Sequence, residues 1–313
     1  MKKALVFPGQ GSQVVGMGKT LYDYSVTARE VFEEIDDALK TNLSKIIFEG
    51  PQEELTLTLN AQPALMAVSI AVFKVINIDA GIPLVDKTSC MAGHSLGEYS
   101  ALVASESISL SDAARLLRIR GRAMQEAVPV GKGAMAALLG ADLDLVEKII
   151  LKTDQNSICV IANDNAPGQV VISGNSLAIN EVIDMSSREG VRKAIKLDVS
   201  APFHSPLMEP ASTIMDNALN EINMLSPIVP IIFNVSADNE YDTENIKKLL
   251  VKQVTHRVRW RETIERMGNE GVELVVEIGA GKVLSSLVKR INRSIESISI
   301  STPNDIDILL KKI

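Results

Sequence analysis

The chain has 313 residues, of which 46% are hydrophobic and 23% charged, and its formal net charge is −7 at pH 7. This balance excludes disordered and fibrous proteins, and the length allows one large domain with an insert or two domains. The negative charge argues against general nucleic-acid binding, because phosphate contacts need clustered Lys and Arg. The two cysteines, Cys90 and Cys159, have no metal-ligand spacing, so we expect a reducing compartment and no metal.

The first part of the chain has the rhythm of an α/β core. Apolar runs at 4–7 and 89–92 predict strands, and amphipathic stretches at 21–40, 62–77 and 111–127 predict helices. The N-terminus leads directly into the first strand, which is not the pattern of a signal peptide. The apolar stretch 64–73 ends at Lys74, well short of the ~20 residues of a membrane span. We therefore expect a cytoplasmic protein that does not enter a membrane.

The element order changes after residue 127. Strand 134–139, helix 142–152, strands 157–161 and 169–173, helix 177–189 and strand 191–197 follow one another, with a predicted turn at 163–168. This βαββαβ order is that of a ferredoxin-like unit. The α/β rhythm then returns in the stretches 231–234, 245–253, 261–269, 272–278 and 282–291. We predict a core made of 1–127 and 200–313, an inserted subdomain at 128–199, and a ligand crevice between them.

Residues 93–97, GHSLG, fit the G-x-S-x-G motif between a predicted strand and a helical run. On such an elbow, small flanking residues permit a strained backbone and hold the serine hydroxyl at a helix N-terminus. The alternative is an ordinary serine in a glycine-rich turn. The strand and helix on either side favour Ser95 as a nucleophile.

A serine nucleophile needs a base, and the chain has three histidines. His94 adjoins the serine, and we predict a packing role for it; His256 lies among charged residues and is predicted to be solvated. His204 follows the insert, where the chain re-enters the core, and we favour it as the base over a capping or core histidine. Cys90 lies inside a predicted strand, so we discount it as a rival nucleophile.

Arg120 falls on the apolar stripe of the helix at 111–127, whereas Arg115, Arg118 and Arg122 lie opposite. It should point into the protein, where a guanidinium needs an anionic partner. A protein carboxylate and a substrate carboxylate are equally good partners at this point. The guanidinium fork suits bidentate binding of either one.

The loop at 7–13, FPGQGSQ, follows the first strand. It does not match a phosphate-binding loop. A better use is to supply a backbone N–H to an oxyanion hole, together with the N–H of Leu96.

Five features occur in order along the chain: FPGQGSQ at 7–13, GHSLGEYSA at 93–101, Arg120-Gly121, GQVVISG at 168–174 and His204. Together they make the chain resemble the malonyl-CoA:acyl-carrier-protein transacylase family, from Phe7 to about Ile291. The resemblance implies an α/β-hydrolase-like core with a ferredoxin-like insert. It implies that malonyl is transferred from malonyl-CoA to the phosphopantetheine thiol of acyl carrier protein, in support of fatty acid elongation. No cofactor is then expected, since coenzyme A belongs to the substrate and phosphopantetheine to the partner, and we expect a monomer.

The resemblance also assigns roles by position. Ser95 would be acylated, His204 would be general base and acid, and Arg120 would bind the malonyl carboxylate. The N–H groups of Gln10 and Leu96 would form the oxyanion hole, and the main-chain carbonyl of Gln253 would orient the histidine. Phe203 resembles a marker of malonyl-selecting members.

Two other functions share parts of this pattern. A serine esterase or thioesterase would use Ser95 and His204 but would not need Arg120. A non-catalytic carrier-docking subunit would leave both residues unexplained. Basic clusters at 256–261 and 289–293 could dock an acidic carrier, although solvated charged faces are the favoured interpretation.

Overall fold

A computed structural model describes residues 1–199 and 201–312 of the chain. The residues predicted to form the core, 1–127 and 201–312, are called the larger part here. A mostly parallel sheet forms its centre, with the strand order β10-β9-β1-β2-β7-β8. Only β8 runs antiparallel to its neighbour. The strands of this sheet are β1 (Lys2–Phe7), β2 (Cys90–Gly93), β7 (Ile231–Phe233), β8 (Asp238–Glu240), β9 (Val272–Ile278) and β10 (Glu296–Ile300).

Helices cover both faces of this sheet, as buried parallel strands require. Their bounds are α1 (Lys19–Tyr24), α2 (Val26–Leu39), α3 (Leu43–Glu49), α4 (Gln52–Thr56), α5 (Thr58–Lys74), α6 (Gly97–Ala104), α7 (Leu110–Glu126), α10 (Glu209–Asn220), α11 (Thr243–Gln253), α12 (Trp260–Asn269), α13 (Val283–Ile291) and α14 (Pro303–Leu310). One apolar cluster centres on α5, α2 and α7. A separate one joins α12 and α13 to β1 and β9.

The second sheet lies in the segment predicted to be inserted, and its strands pair antiparallel in the order β4-β5-β3-β6. Its elements are β3 (Gly133–Leu139), α8 (Leu143–Ile150), β4 (Cys159–Ala166), β5 (Gln169–Asn175), α9 (Ser176–Ser186) and β6 (Lys193–Lys196). Apolar residues of α8 and α9 pack with the strands in a third cluster. Ser200 and Ile313, which bound the predicted core segments, lie outside the described residues.

Two predicted elements differ from the structure in more than the position of their ends. The predicted helix 21–40 is divided at Ser25, whose extended backbone and side-chain bond to the Ala28 N–H begin α2 anew. The predicted turn 163–168 is wrong in its first part, because β4 continues to Ala166. The strand continues because these residues still pair with β5, and the Asp164 N–H also donates to the carbonyl of Val258 in the larger part of the chain, at 2.9 Å.

The stretch Thr58–Asp79 is long and apolar enough to cross a membrane by length and composition. It is longer than the apolar stretch at 64–73, because α5 already begins at Thr58 and a π-helical turn continues it beyond Lys74. However, 83% of its most apolar window is buried inside the protein. It is the central core helix of the larger part.

Candidate active site

Ser95 lies on a tight elbow between β2 and α6, with φ of 52°. The flanking glycines make this elbow possible. A Cβ on Gly93 would lie 1.8 Å from the carbonyl carbon of Gly97, and a Cβ on Gly97 would lie 2.3 Å from the carbonyl oxygen of Phe7. Since a non-glycine residue rarely adopts this backbone conformation, the local strain is of the kind that marks functional sites.

Ser95 and His204 meet although they are far apart in sequence. The Oγ of Ser95 lies 2.8 Å from Nε2 of His204, and Nδ1 of His204 lies 2.7 Å from the carbonyl oxygen of Gln253. A carbonyl can only accept, so Nδ1 carries the hydrogen and Nε2 is free to take a proton from the serine. Burial, followed by the positive charge of Arg120, lowers the pKa of His204 to about 3. The neutral form required of a base is therefore strongly favoured.

Arg120 points inward from α7 and is 1% exposed. Its guanidinium donates to Oε1 of Gln62 and Oε1 of Gln253, both at 2.7 Å, and to Oγ of Ser95 at 3.1 Å. Among the described residues it forms no ion pair within 4.0 Å, and its Nε has no partner. The sequence left two partners open for this guanidinium, a protein carboxylate and a substrate carboxylate. No protein carboxylate among the described residues forms an ion pair with it.

The position of Arg120 depends on close packing of α7 against α5. A Cβ on the next residue, Gly121, would lie 2.6 Å from both Cα of Leu59 and the carbonyl oxygen of Thr58. Only glycine fits where the two helix backbones touch. This contact brings Gln62 of α5 within reach of the guanidinium.

Two buried residues that sequence reasoning missed support the serine. The side-chain oxygen of Asn234 accepts the N–H of Ser95 at 2.8 Å, and its Nδ2 donates to the carbonyl of Gly93 at 2.7 Å. Glu98, in the first turn of α6, accepts the N–H of Asn234 and Nε2 of Gln253, both at 2.5 Å. Burial raises the pKa of Glu98, whereas these two donors and the Arg120 charge act in the opposite direction and favour its ionised form.

The two residues whose N–H groups are expected to form an oxyanion hole lie at the pocket that contains the serine. Gln10 and Leu96 both line the same pocket as Ser95. Neither N–H has an acceptor among the described residues. Both are therefore available to an oxygen atom of a ligand.

This pocket has a volume of about 320 Å³ and lies between the two parts of the chain. The larger part contributes Ser95, Arg120 and His204, and the smaller sheet contributes Met135 and Asn163. A pocket is thus present where the crevice was predicted, and its use as a ligand site stays a prediction. Its walls place a nucleophile, a base and a buried cation around one cavity.

The comparisons with known proteins agree with this geometry. The family described as acyl transferase domain matches residues 4–302. The chain belongs to this acyl transferase family. It is 45% identical over 311 residues to a malonyl CoA-acyl carrier protein transacylase of Bacillus subtilis, a match that covers 99% of this chain and 96% of that protein.

Two solved structures resemble this acyl transferase along its whole length. The crystal structure of acyl-carrier-protein-S-malonyltransferase from Bartonella henselae gives a TM-score of 0.97 at 54% identity, over 100% of this chain and 99% of that chain. The second is a type II PKS acyl-carrier protein in complex with its malonyl-transacylase, with a TM-score of 0.96 at 38% identity and 100% coverage of both chains.

The two other histidines of the acyl transferase and Cys90 lie outside the serine–histidine pair. His94 packs against Trp260 with ring centroids 5.4 Å apart and bonds to Oδ1 of Asn165 at 2.9 Å, whereas His256 is exposed. Cys90 is buried, and burial raises the pKa of its thiol to about 12. No group of three or more His, Cys, Asp or Glu in 1–199 and 201–312 is arranged to hold a metal ion.

Most of the basic residues in the cluster at 256–261 of the acyl transferase form ion pairs within the protein. Arg257 and Arg259 both pair with Glu262, and Arg261 pairs with Asp164 and Glu265. These arginines belong to an internal ion-pair network. In the second cluster, Arg290 bonds to the Gln169 side chain and the Pro167 carbonyl of the smaller sheet, while Lys289 and Arg293 are exposed.

Proposed function

We propose that this chain transfers the malonyl group of malonyl-CoA to the phosphopantetheine thiol of acyl carrier protein, through a malonyl ester on Ser95. One observation carries the proposal: the same Oγ lies 2.8 Å from the base nitrogen of His204 and 3.1 Å from a buried guanidinium that forms no ion pair among the described residues. A nucleophile beside a desolvated cation suits an acyl group that carries its own carboxylate. The names of the relatives support this choice of acyl group and carrier.

The first half-reaction forms the ester. Oγ of Ser95 attacks the thioester carbonyl while Nε2 of His204 takes the hydroxyl proton. The carbon–sulfur bond then breaks, and the leaving coenzyme A sulfur takes that proton from the histidine. The Gln253 carbonyl keeps the imidazole in the required tautomer and orientation through its 2.7 Å bond to Nδ1.

Negative charge develops on the carbonyl oxygen during the attack. In this proposal the N–H groups of Gln10 and Leu96 stabilise it, since both residues line the pocket and neither N–H is bonded to an acceptor among the described residues. In the second half-reaction the phosphopantetheine thiol attacks the malonyl ester, His204 accepts its proton, and the serine hydroxyl is restored by the same proton.

Arg120 binds the malonyl carboxylate in this mechanism. It holds the acyl group so that the ester carbonyl faces an incoming thiol. A serine esterase or thioesterase would share Ser95 and His204, but it would have no use for a buried guanidinium in the acyl pocket. Phe203, which is buried and lines the pocket, is part of the same acyl-selecting wall.

We also propose a division of the chain into an α/β-hydrolase-like core, 1–127 and 200–313, and a ferredoxin-like insert, 128–199. The elbow after a strand of the parallel sheet supports the first assignment. The antiparallel order β4-β5-β3-β6, with α8 and α9 packed on the strands, supports the second. In this proposal the enzyme is a cytoplasmic monomer that needs no cofactor and acts on its two substrates away from membranes.

The test is the intact mass of the protein after brief exposure to malonyl-CoA, followed by addition of holo acyl carrier protein. We expect a malonyl adduct that is lost when carrier is added and appears on the carrier. Ser95→Ala should form no adduct. If the wild type only hydrolyses the thioester and nothing reaches the carrier, the thioesterase function replaces the proposed one.

A further inference from the structure

The buried carboxyl group of Glu98 forms no hydrogen bond with Ser95 or His204, yet it bonds to the residues that support both. It is 1% exposed. One oxygen accepts the N–H of Asn234, whose side chain holds the Ser95 N–H. The other oxygen accepts Nε2 of Gln253, whose main-chain carbonyl faces His204.

The chemistry of Arg120 fixes every donor and acceptor in this network. A guanidinium only donates, so the Gln253 amide must present its oxygen to Arg120, at 2.7 Å. The amide nitrogen of Gln253 then faces the Ser95 carbonyl at 2.9 Å and the second oxygen of Glu98 at 2.5 Å. Glu98 must accept at both oxygens, and the carboxylate is the form that does so.

The Gln253 amide also separates two opposite charges. Glu98 and Arg120 attract one another across it but form no direct ion pair. A direct pair would use the N–H groups that a ligand carboxylate needs. With the amide between them, the buried cation is partly compensated and still has donors to offer.

We propose that Glu98 is a positioning residue that sets the preference for malonyl over acetyl groups, by fixing the Gln253 amide so that Arg120 faces the acyl pocket. The proposal rests on the function proposed above, in which Arg120 binds the malonyl carboxylate. An acetyl group has no carboxylate, so its transfer does not depend on this interaction. The ratio of the two acylation rates therefore reports on Glu98 through Arg120.

Glu98→Gln is the direct test because it changes one acceptor into a donor at nearly constant shape. If the new amide keeps its oxygen towards the Asn234 N–H, its nitrogen meets the nitrogen of Gln253. If the Gln253 amide then turns over, its nitrogen meets Arg120 instead. Each arrangement leaves one donor facing another in a buried site, which displaces Arg120 or Gln253.

The experiment measures kcat/KM for Ser95 acylation by malonyl-CoA and by acetyl-CoA in the full-length protein. For Glu98→Gln we expect the malonyl-to-acetyl ratio to fall at least about tenfold. Glu277→Gln is the matched control. Glu277 is also a buried carboxylate that accepts two backbone N–H groups, but at the start of α13, and its ratio should equal that of the wild type.

Gln253→Met serves if Glu98→Gln does not fold, because it removes the amide and keeps the main-chain carbonyl that faces His204. It should lower the same ratio. Equal losses for malonyl and acetyl in these variants, with an unchanged ratio, would overturn the role of Glu98. A wild type that forms no transferable malonyl adduct would instead overturn the proposed function, so the two failures are distinguishable.

Discussion

Two strand-to-helix junctions of the parallel sheet, after the strands β9 and β2 on either side of β1, serve different ends. At the junction after β9, the side chain of Glu277 accepts the N–H groups of Leu284 and Ser285 at the start of α13, at 3.0 and 2.8 Å. After β2, the Leu96 N–H at the start of α6 has no acceptor among the described residues. Helix N-termini attract negative charge. The junction between β9 and α13 is occupied by the protein's own carboxylate and is called the closed junction. The junction between β2 and α6 leaves an N–H for a ligand oxygen and is called the open junction.

The open junction also carries more backbone strain and depends on distant residues. Ser95 and His204 both have φ above 50°, and Asn234 stabilises the elbow from 139 residues away. The closed junction is satisfied by a residue seven and eight positions from its partners. The closed junction is thus stabilised by a residue near in sequence, whereas Ser95 is stabilised by hydrogen bonds from residues far away in the chain.

The largest expected effect comes from breaking the open junction itself. In Gly93→Ala the new Cβ would lie 1.8 Å from the carbonyl carbon of Gly97, so the elbow must unfold or move. We expect a loss of at least about 4 kcal/mol in the free energy of unfolding, measured by urea denaturation. Gly281→Ala at the closed junction has its nearest contact at 3.4 Å and should cost only about 1–2 kcal/mol for its positive φ. Similar losses in both variants would contradict the comparison.

A smaller effect is expected from removing the cation beside the open junction. Arg120→Ala should lower kcat/KM for malonyl-CoA about a hundredfold, because two charge-assisted hydrogen bonds to the carboxylate are lost. Hydrolysis of the acyl-enzyme should become faster. Arg122→Ala, which alters an exposed arginine of the same helix, is the control and should behave as wild type. Undiminished malonyl preference together with unchanged hydrolysis would argue against the carboxylate role.

The closed junction should respond in stability and not in catalysis. Glu277→Gln leaves one amide N–H group facing a helix N–H, so we expect it to cost about 1–3 kcal/mol in the free energy of unfolding. The rate of malonyl adduct formation should not change at temperatures where the variant is folded. A drop in that rate would show that the two junctions are coupled.

The smallest expected effect is that of pH on acylation. The pKa of His204 is lowered to about 3, so the base stays neutral well below the ordinary histidine pKa of about 6.5. Between pH 7.5 and 5.5 we expect kcat/KM for malonyl-CoA to change less than about twofold, whereas an unshifted histidine would lose about tenfold. The unfolded chain takes up this proton and the folded chain does not, so stability should fall as pH drops below about 6.5.

Much of the site could be predicted because its signals are local. The spacing of apolar residues placed Arg120 on the inner face of α7, and the elbow motif needs only five consecutive residues. The βαββαβ order was also readable, since each of its elements has its own periodicity.

The supporting residues could not be predicted in the same way. Glu98 directly follows the elbow motif and Asn234 lies far from it, but nothing in the sequence indicates that they bond to each other, since their roles arise only where β7, α6 and α11 come together. The false part of the predicted turn at 163–168 has the same cause. Its Asn and Asp residues suit a turn locally, but Asp164 finds its partners in Val258 and Arg261 of the other part of the chain.

The contact of α5 and α7 at Gly121 fixes the spacing of these two helices, because their backbones touch there. Arg120 and its hydrogen-bond partner Gln62 lie on the two helices, so their 2.7 Å contact depends on main-chain packing. The placement of the guanidinium is therefore tied to the backbone, which ordinary substitutions along the pocket wall would leave intact.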